Sequence, residues 1–457
     1  MHVVLIGARS EAIEALLADG HTITLLYEGG EHRRVEAHRA RLARWCAVDS
    51  YLVVESLWSA LHHVGALAPD GPSGGVVDAV VSVQEHGMVP AALLGRLLGA
   101  RAIDPEVALR CRDKALQKEA WRAAGLTTAD WLVVPDAGDG SVARAAAAAG
   151  VAAPYVVKPT AGAATIGVAA ADTAAELDAL AVESVSDSDT RRRLLVEHRV
   201  PGEEWHVDGV VRAGEPEALL VSRYLTPLIE TKRGRPAATV SLPPRDHPEL
   251  YREATELTGR ALAALGHRDG VFHFELFGGP GGFTAGELAA RPGGHMIGAL
   301  AERVLGVDIW AAAVRAVTGD RPPVRTGRGG AGGRVVGFTD IPTVAGAVNR
   351  LSRADVERIP GVVDVEIKIE PGEVMPDMDA NSGIRIGTAL VEAATERECR
   401  RALRRIADLA VTLNSAPEQP LPQQATPLDP REDHREDHRE ADREADREAD
   451  RESETIS

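Results

Sequence analysis

Between residues 271 and 294 two short runs alternate polar and apolar side chains. They are Val271-Phe-His-Phe-Glu275-Leu-Phe277 and Phe283–Leu288, joined by Gly278-Gly-Pro-Gly-Gly282. A period of two is the signature of a strand, and the Gly/Pro segment is a turn. The pair therefore predicts a β-hairpin on which Glu275 and Glu287 can point to one face. Arg291 follows the second acid by four residues, with Gly293 and Gly294 behind it. Paired carboxylates beside a cation and open backbone amides suit a divalent metal held on nucleotide phosphates. The plain alternative is a hairpin with exposed acids. Against it, Glu275 alternates with His273 and Phe277, an unusual setting for a free acid.

Size and charge narrow the class. At 457 residues the chain has room for two or three domains, and 44% hydrophobic residues can fill large cores. No apolar run reaches the roughly eighteen residues of a spanning helix. The start, Met1-His-Val-Val-Leu-Ile-Gly7, reads as a buried strand rather than a signal peptide. Cys46, Cys111 and Cys399 lie far apart, with neither disulfide nor metal spacing, which fits a reducing cytoplasm. A net charge of −17 argues against a nucleic-acid binder. Lysine is rare (Lys114, Lys118, Lys158, Lys232 and Lys368 among 51 Lys and Arg), so the retained ones are of interest.

The chain falls into four stretches. Residues 1–110 alternate strands (His2–Gly7, Thr22–Tyr27, Val76–Val83) with helical patterns, including Ser10–Ala18 with Ser10 as N-cap, and imply a parallel sheet. The turn Gly7-Ala-Arg-Ser10 is not a GxGxxG, so a dinucleotide site there has weak support. Residues 111–320 hold a helix ending at Gly125. Strands follow at Trp131–Val134, Tyr155–Lys158, Leu194–Glu197 and Trp205–Val211, with a long helix Leu250–Leu265 before the hairpin. After a Gly/Arg-rich linker, 334–413 reads as a compact α+β unit. Its strands are Val335–Phe338, Val362–Ile369 and Ile384–Leu390, with a closing helix from Glu396. Residues 414–457 end in Arg-Glu-Asp-His and Arg-Glu-Ala-Asp repeats with no apolar face, a disordered charged tail.

Two upstream segments bear on the hairpin. Lys158 ends a strand and runs into Pro159-Thr-Ala-Gly162-Ala-Ala-Thr165-Ile-Gly167, a small-residue loop whose amides can close over phosphates. It is not a P-loop, and a simple turn is the alternative. Glu197-His198-Arg-Val200-Pro-Gly-Glu-Glu204 closes a strand and turns. Its outward backbone can read an adenine edge and its second acid a ribose. A hairpin with solvated acids is the alternative there.

In order, the chain shows Arg112-Asp-Lys114, Val157-Lys158-Pro159 with its loop, Glu197 to Glu204, Phe274-Glu275, and Glu287-x-x-x-Arg291-Pro-Gly-Gly294. This succession resembles the ATP-grasp superfamily of carboxylate–amine ligases from about residue 1 to 318. Phe338-Thr-Asp-Ile-Pro, Ile359-Pro-Gly-Val and Glu370-Pro-Gly-Glu373 resemble the closing domain of its L-amino acid ligase branch. The resemblance implies an α/β protein, α+β in its central part. It would have a Rossmann-like parallel-sheet N-terminal domain, a lid subdomain over about 125–200, a central ATP-binding domain and a C-terminal α+β unit. It implies ATP and Mg²⁺ or Mn²⁺. Lys114 and Lys158 would hold phosphates under a lid at 161–168, which includes Gly162, Thr165 and Gly167. Glu197, His198 and Val200 would form the adenine hinge and Glu204 would take the ribose. Glu275 and Glu287 would bind metal. Arg291, with Gly293 and Gly294, would hold the substrate carboxylate and acyl-phosphate.

One departure stands beside the metal pair. Relatives commonly carry Asn two residues after the second acid, and here that position is Ala289, which puts a second metal ion in doubt. The expected function is an ADP-forming ligase that joins a small-molecule carboxylate, an amino acid, to an amine. The expected setting is the cytoplasm, with no nucleic-acid or membrane partner and a homodimer as the assembly. The alternatives are an ATP-grasp carboxylase or purine-pathway ligase, and a non-catalytic ATP-binding module. Tyr224–Lys232 and Gly294–Ile297 are candidate substrate-lining segments.

Overall fold

The computed structural model describes residues 1–134, 141–162, 165–186, 193–319, 333–376 and 384–415. Ala163, Ala164, the linker at 325–332 and the repeat tail lie outside the described residues.

Among the described residues, sixteen strands form three sheets. The first holds β1 (His2–Ile6), β2 (Thr22–Glu28), β3 (Arg44–Val48) and β4 (Ala79–Val81) in the order β3-β2-β1-β4, all parallel. Val3 to Ile6 are completely buried, as strands covered on both faces must be. The second sheet is small and antiparallel: β5 (Trp131–Val134), β6 (Tyr155–Pro159), β7 (Ala169–Ala171) and β8 (Leu194–His198), ordered β5-β8-β6-β7.

The third sheet has eight strands. They are β9 (Glu203–Arg212), β10 (Glu215–Tyr224), β11 (Ala238–Ser241), β12 (Gly270–Gly278), β13 (Thr284–Ala289), β14 (Val335–Ile341), β15 (Val362–Ile367) and β16 (Gly387–Ala393). The order is β13-β12-β9-β10-β11-β14-β16-β15. The three C-terminal strands thus continue the central sheet through the β11–β14 pairing.

Alternation gives the central strands two unlike faces. Trp205, Val207, Phe272, Phe274, Leu276 and Leu288 point one way, into a core shared with the helices Lys114–Ala123 and Pro248–Leu265. There Trp121 packs its ring 5.5 Å from that of Phe274. Burying one such ring contributes about 1.5–3 kcal/mol. The opposite face carries His206, Asp208, His273, Glu275 and Glu287.

Several boundaries differ from expectation. Ser10 is the first helical residue rather than the N-cap, a place taken by Arg9; its hydroxyl instead meets His38 Nε2 at 3.1 Å. The strand expected at Val76–Val83 shrinks to Ala79–Val81, because β4 is an edge that pairs β1 only at Val3–Leu5. The strand expected at Ile384–Leu390 starts at Gly387 and runs to Ala393, because pairing with Val335–Ile341 sets its register. The helix expected to end at Gly125 runs from Lys114 to Ala123, with Asp113 as its cap, accepting from the amides of Ala115 and Leu116.

Candidate active site

Glu275 and Glu287 stand directly opposite each other across the β12–β13 hairpin, with a register irregularity just after Glu275. Like charges at opposed positions repel unless a cation joins them. Lys114 neutralises one of the two, its Nζ lying 2.9 Å from Glu287 Oε1. Burial would raise the Glu287 carboxyl, but Lys114 and Lys158 outweigh it and hold it below the usual range. Two facing carboxylates are hard oxygen donors of the kind Mg²⁺ takes, so the residues fit the metal the resemblance implies.

The helix Lys114–Ala123 joins this hairpin to the small sheet. Lys114 and Lys118 are four residues apart and so share one face. Lys114 reaches Glu287, while Lys118 reaches Glu197 on β8, Nζ to Oε2 at 2.9 Å. Lys158, on β6, meets the other oxygen of Glu197 at 2.6 Å. All three groups of this second cluster are buried. Burial alone would raise Glu197, yet the two lysines hold it at about 2. Burial depresses Lys118, whereas Glu197 and Glu287 lift Lys158 above its ordinary value in spite of burial. The sequence reading did not place Lys118 here; its signal was one more retained lysine, one turn beyond Lys114.

The segment after Glu197 is anchored at its start. His198 N donates to Asp130 O at 2.9 Å, and Arg199 N to Pro154 O at 2.7 Å, so Val200 marks the freer end. Glu204, on β9, accepts from the amide of Leu228 at 2.8 Å. Burial first, then the charge on Glu275, pushes its carboxyl up to about 8. Tyr224 belongs to the same group: burial, Glu275 and Glu204 all raise its hydroxyl. The loop after β6 is tied down by Arg112, which donates to Gly162 O at 2.6 Å and Ala161 O at 2.5 Å. Thr165 and Gly167 lie in the turn beyond, where Gly167 takes a φ of +69°.

Arg291 follows the hairpin. Its Nε donates to Glu85 and its Nη1 to Pro292 O at 2.8 Å. Burial would depress this guanidinium, but Glu85 more than compensates. Arg112 approaches the same carboxylate at 3.3 Å, so Glu85 sits between two arginines, with exposed His86 next to it. Glu85 was missed by the sequence reading. Its signal was position: it follows β4 at the carboxyl end of a parallel sheet, where open α/β sheets take ligands. A Cβ on Gly293 would come within 2.6 Å of Ile297 and 2.9 Å of His273, so packing demands glycine. A Cβ on Gly294 would meet nothing within 4 Å, so packing gives no reason for glycine there. Next in the chain, His295 takes a φ of +53°, stacks on Phe338 and meets Asp340 Oδ1 at 3.1 Å.

Of the expected lining segments, the side chain of Lys232 lies outside the described residues, and Arg233 is exposed and paired with Glu230. Behind Glu275, Asp208 binds both His206 and His273. Burial opposes the charge on Asp208, but the two imidazoles hold it well below the carboxylate range. Burial likewise opposes a charge on His273, yet Asp208 pushes its pKa up to about 10.

No protein-family model matches the chain, and no curated protein matches it. Solved structures do. An L-amino acid ligase from Bacillus licheniformis superposes with a TM-score of 0.69 at 18% identity, covering 89% of this chain and 97% of that one. The ADP complex of an N5-carboxyaminoimidazole ribonucleotide synthetase gives 0.65 at 18% identity, covering 90% and 97%. The biotin carboxylase domain of the Hydrogenobacter thermophilus 2-oxoglutarate carboxylase, with MgADP and bicarbonate, gives 0.63 at 17%, covering 88% and 89%. Likeness at these identities speaks for the fold, and the chain has the ATP-grasp fold.

Proposed function

We propose that this protein is an ATP-dependent ligase that joins a carboxylate to an amine through an acyl-phosphate, releasing ADP and phosphate. The observation that carries the reading is the opposed pair Glu275 and Glu287, flanked by Lys114 and Lys158, with Arg291 four residues beyond. That is a set of groups for positioning and neutralising phosphates, and it offers no obvious nucleophile. Phosphoryl transfer needs mainly this from a protein.

Each group has a task in this reading. Lys114 and Lys158 neutralise the phosphates of ATP. Glu275 and Glu287 would hold Mg²⁺ or Mn²⁺, whose chemistry there is to offset charge on the phosphates. The Val200 end of the β8–β9 connection borders the adenine, and Glu204 takes the ribose. The loop at 161–168, tethered through Arg112, excludes water from the acyl-phosphate. Arg291, held by Glu85, binds the substrate carboxylate. As the amine attacks the acyl carbon, Arg291 and the amides of Gly293 and Gly294 stabilise the oxyanion. One such donor is typically worth about 10²–10³ in rate. Phosphate then leaves and the amide remains.

An amino acid is the carboxylate we favour, supported by the L-amino acid ligase among the structural neighbours. A carboxylase or purine-type ligase is the second reading, supported by the two neighbours with those activities in their descriptions. We also propose a homodimer, since one neighbour is described as a dimer; sedimentation of the purified chain tests it. The deciding experiment is phosphate release from ATP across a matrix of amino acids, amines and bicarbonate. Release that requires an acid and an amine together supports the ligase. Release that requires bicarbonate transfers the protein to the second reading, and AMP as product removes both.

A further inference from the structure

Three buried titratable groups stand in a row on the polar face of the central sheet: His206, Asp208 and His273. Asp208 takes both rings by Nδ1, at 2.5 Å from His206 and 2.8 Å from His273. The ligase mechanism above uses none of them. His206 is closed off, because its Nε2 meets Thr239 Oγ1 at 2.7 Å. His273 differs. With Nδ1 engaged by Asp208, its Nε2 faces Glu275 Oε1 at 3.4 Å. Its partner across the hairpin is Ala289, which offers no ligand atom.

We propose that Nε2 of His273 is a ligand, together with Glu275 and Glu287, of the divalent ion at this site. The ion site would then be mixed nitrogen and oxygen, and would prefer Mn²⁺ or Co²⁺ to Mg²⁺. Two donors bound to one ion at about 2.1 Å stand about 3.0 to 3.4 Å apart for angles from square to tetrahedral. The observed 3.4 Å separation falls in that range. The carboxylate on the other ring nitrogen is the usual support of a metal-bound imidazole, since it fixes the tautomer and the ring. His206, anchored on Thr239, fixes that carboxylate in turn. Imidazole suits borderline transition ions, whereas Mg²⁺ keeps to oxygen. Nε2 is aimed at Glu275 Oε1, so a bound ion would stand between the two. The proposal rests on the ligase reading only in using Glu275 and Glu287 as the metal pair.

The test uses the full chain with ADP and Mn²⁺. Pulsed paramagnetic resonance should show nitrogen coupling from an imidazole, and His273→Gln should abolish it. Calorimetry should show Co²⁺ and Mn²⁺ binding weakened about 10- to 100-fold in His273→Gln, with Mg²⁺ changed far less, because glutamine still offers an oxygen. The near-parental Mg²⁺ binding of His273→Gln shows that the variant folds, and adding Ala289→Asn to it should tighten Mg²⁺ binding without restoring the nitrogen coupling. Mn²⁺ bound without nitrogen coupling, or no Mn²⁺ bound at all, overturns the proposal. The two readings fail separately. Nitrogen coupling with no phosphate release on any substrate pair counts against the ligase alone. Phosphate release with no nitrogen coupling counts against the His273 ligand alone.

Discussion

Two acid-rich places in this molecule look alike on paper and differ in what surrounds them. At the carboxyl end of the parallel sheet, Glu31 accepts from the amides of Ala8 and Glu28 at 3.2 and 3.4 Å. It also accepts from Gln84 Nε2 at 2.6 Å and from the Tyr51 hydroxyl. Gly7 has a φ of +95°, and a Cβ there would fall within 2.6 Å of the Gln84 side chain. The crevice where an α/β sheet would take a dinucleotide is therefore filled by the protein's own groups. On the central sheet Glu275 faces Glu287 across the hairpin, and burial together with the charge on Glu275 leaves Glu204 reluctant to ionise. An acid given all its donors holds structure together. A buried acid set beside another acid resists ionisation instead. Residue type is the same in both places, and only the complement of partners tells them apart.

That contrast can be broken or sharpened by experiment. Glu287→Ala should remove nearly all ATP-dependent phosphate release, roughly 10³-fold or more, because it deletes several kcal/mol of charge stabilisation. Full activity in this variant would put the central acids on the same footing as Glu31. Lys158→Met should come next, with turnover down about 10²-fold; ATP affinity by calorimetry and single-turnover rates separate binding from chemistry. Glu31→Ala should act the other way. It should lower unfolding free energy by about 1–3 kcal/mol by stranding buried donors, with the KM for ATP within about twofold. A variant as stable as the parent but inactive would overturn the contrast.

The smallest effect belongs to Glu204 and reads its burial beside the charge on Glu275. Its folded pKa, about 8, lies above the ordinary 4.5, so the protonated fold is the favoured one. Stability from this group is present at low pH and is lost as pH rises from about 4.5 to 8. Glu204→Gln mimics the protonated form. In ligand-free protein its Tm should match the parent near pH 5 and exceed it by pH 8.5. Equal Tm values at both ends would mean that neither burial nor Glu275 disfavours the charge on Glu204.

Much of the site was legible in the chain. The alternation at 271–277 and 283–288 allowed Glu275 and Glu287 one hairpin face, but the register between the strands, with its irregularity after Glu275, is what puts them there. The register adds that they are directly opposed. Lys114 was legible from its place after Arg112-Asp113, and the structure shows Asp113 capping the helix that presents it. Glu85 was not legible, because its partners Arg112 and Arg291 are 27 and 206 residues away in sequence. Lys118 was recorded only as a rare residue. Its ion pair with Glu197 depends on how the helix Lys114–Ala123 docks against β8.

By itself the sequence determined the kinds of element and their order, because periodicity, turns and caps are local. It also determined which residue types were available for phosphate and metal chemistry. The tertiary structure decided which acids would be satisfied and which would resist ionisation. It joined the C-terminal strands to the central sheet and closed Arg291 onto Glu85. It also put His273 between Asp208 and Glu275. Those outcomes turn on contacts between residues tens to hundreds of positions apart, which no local pattern encodes.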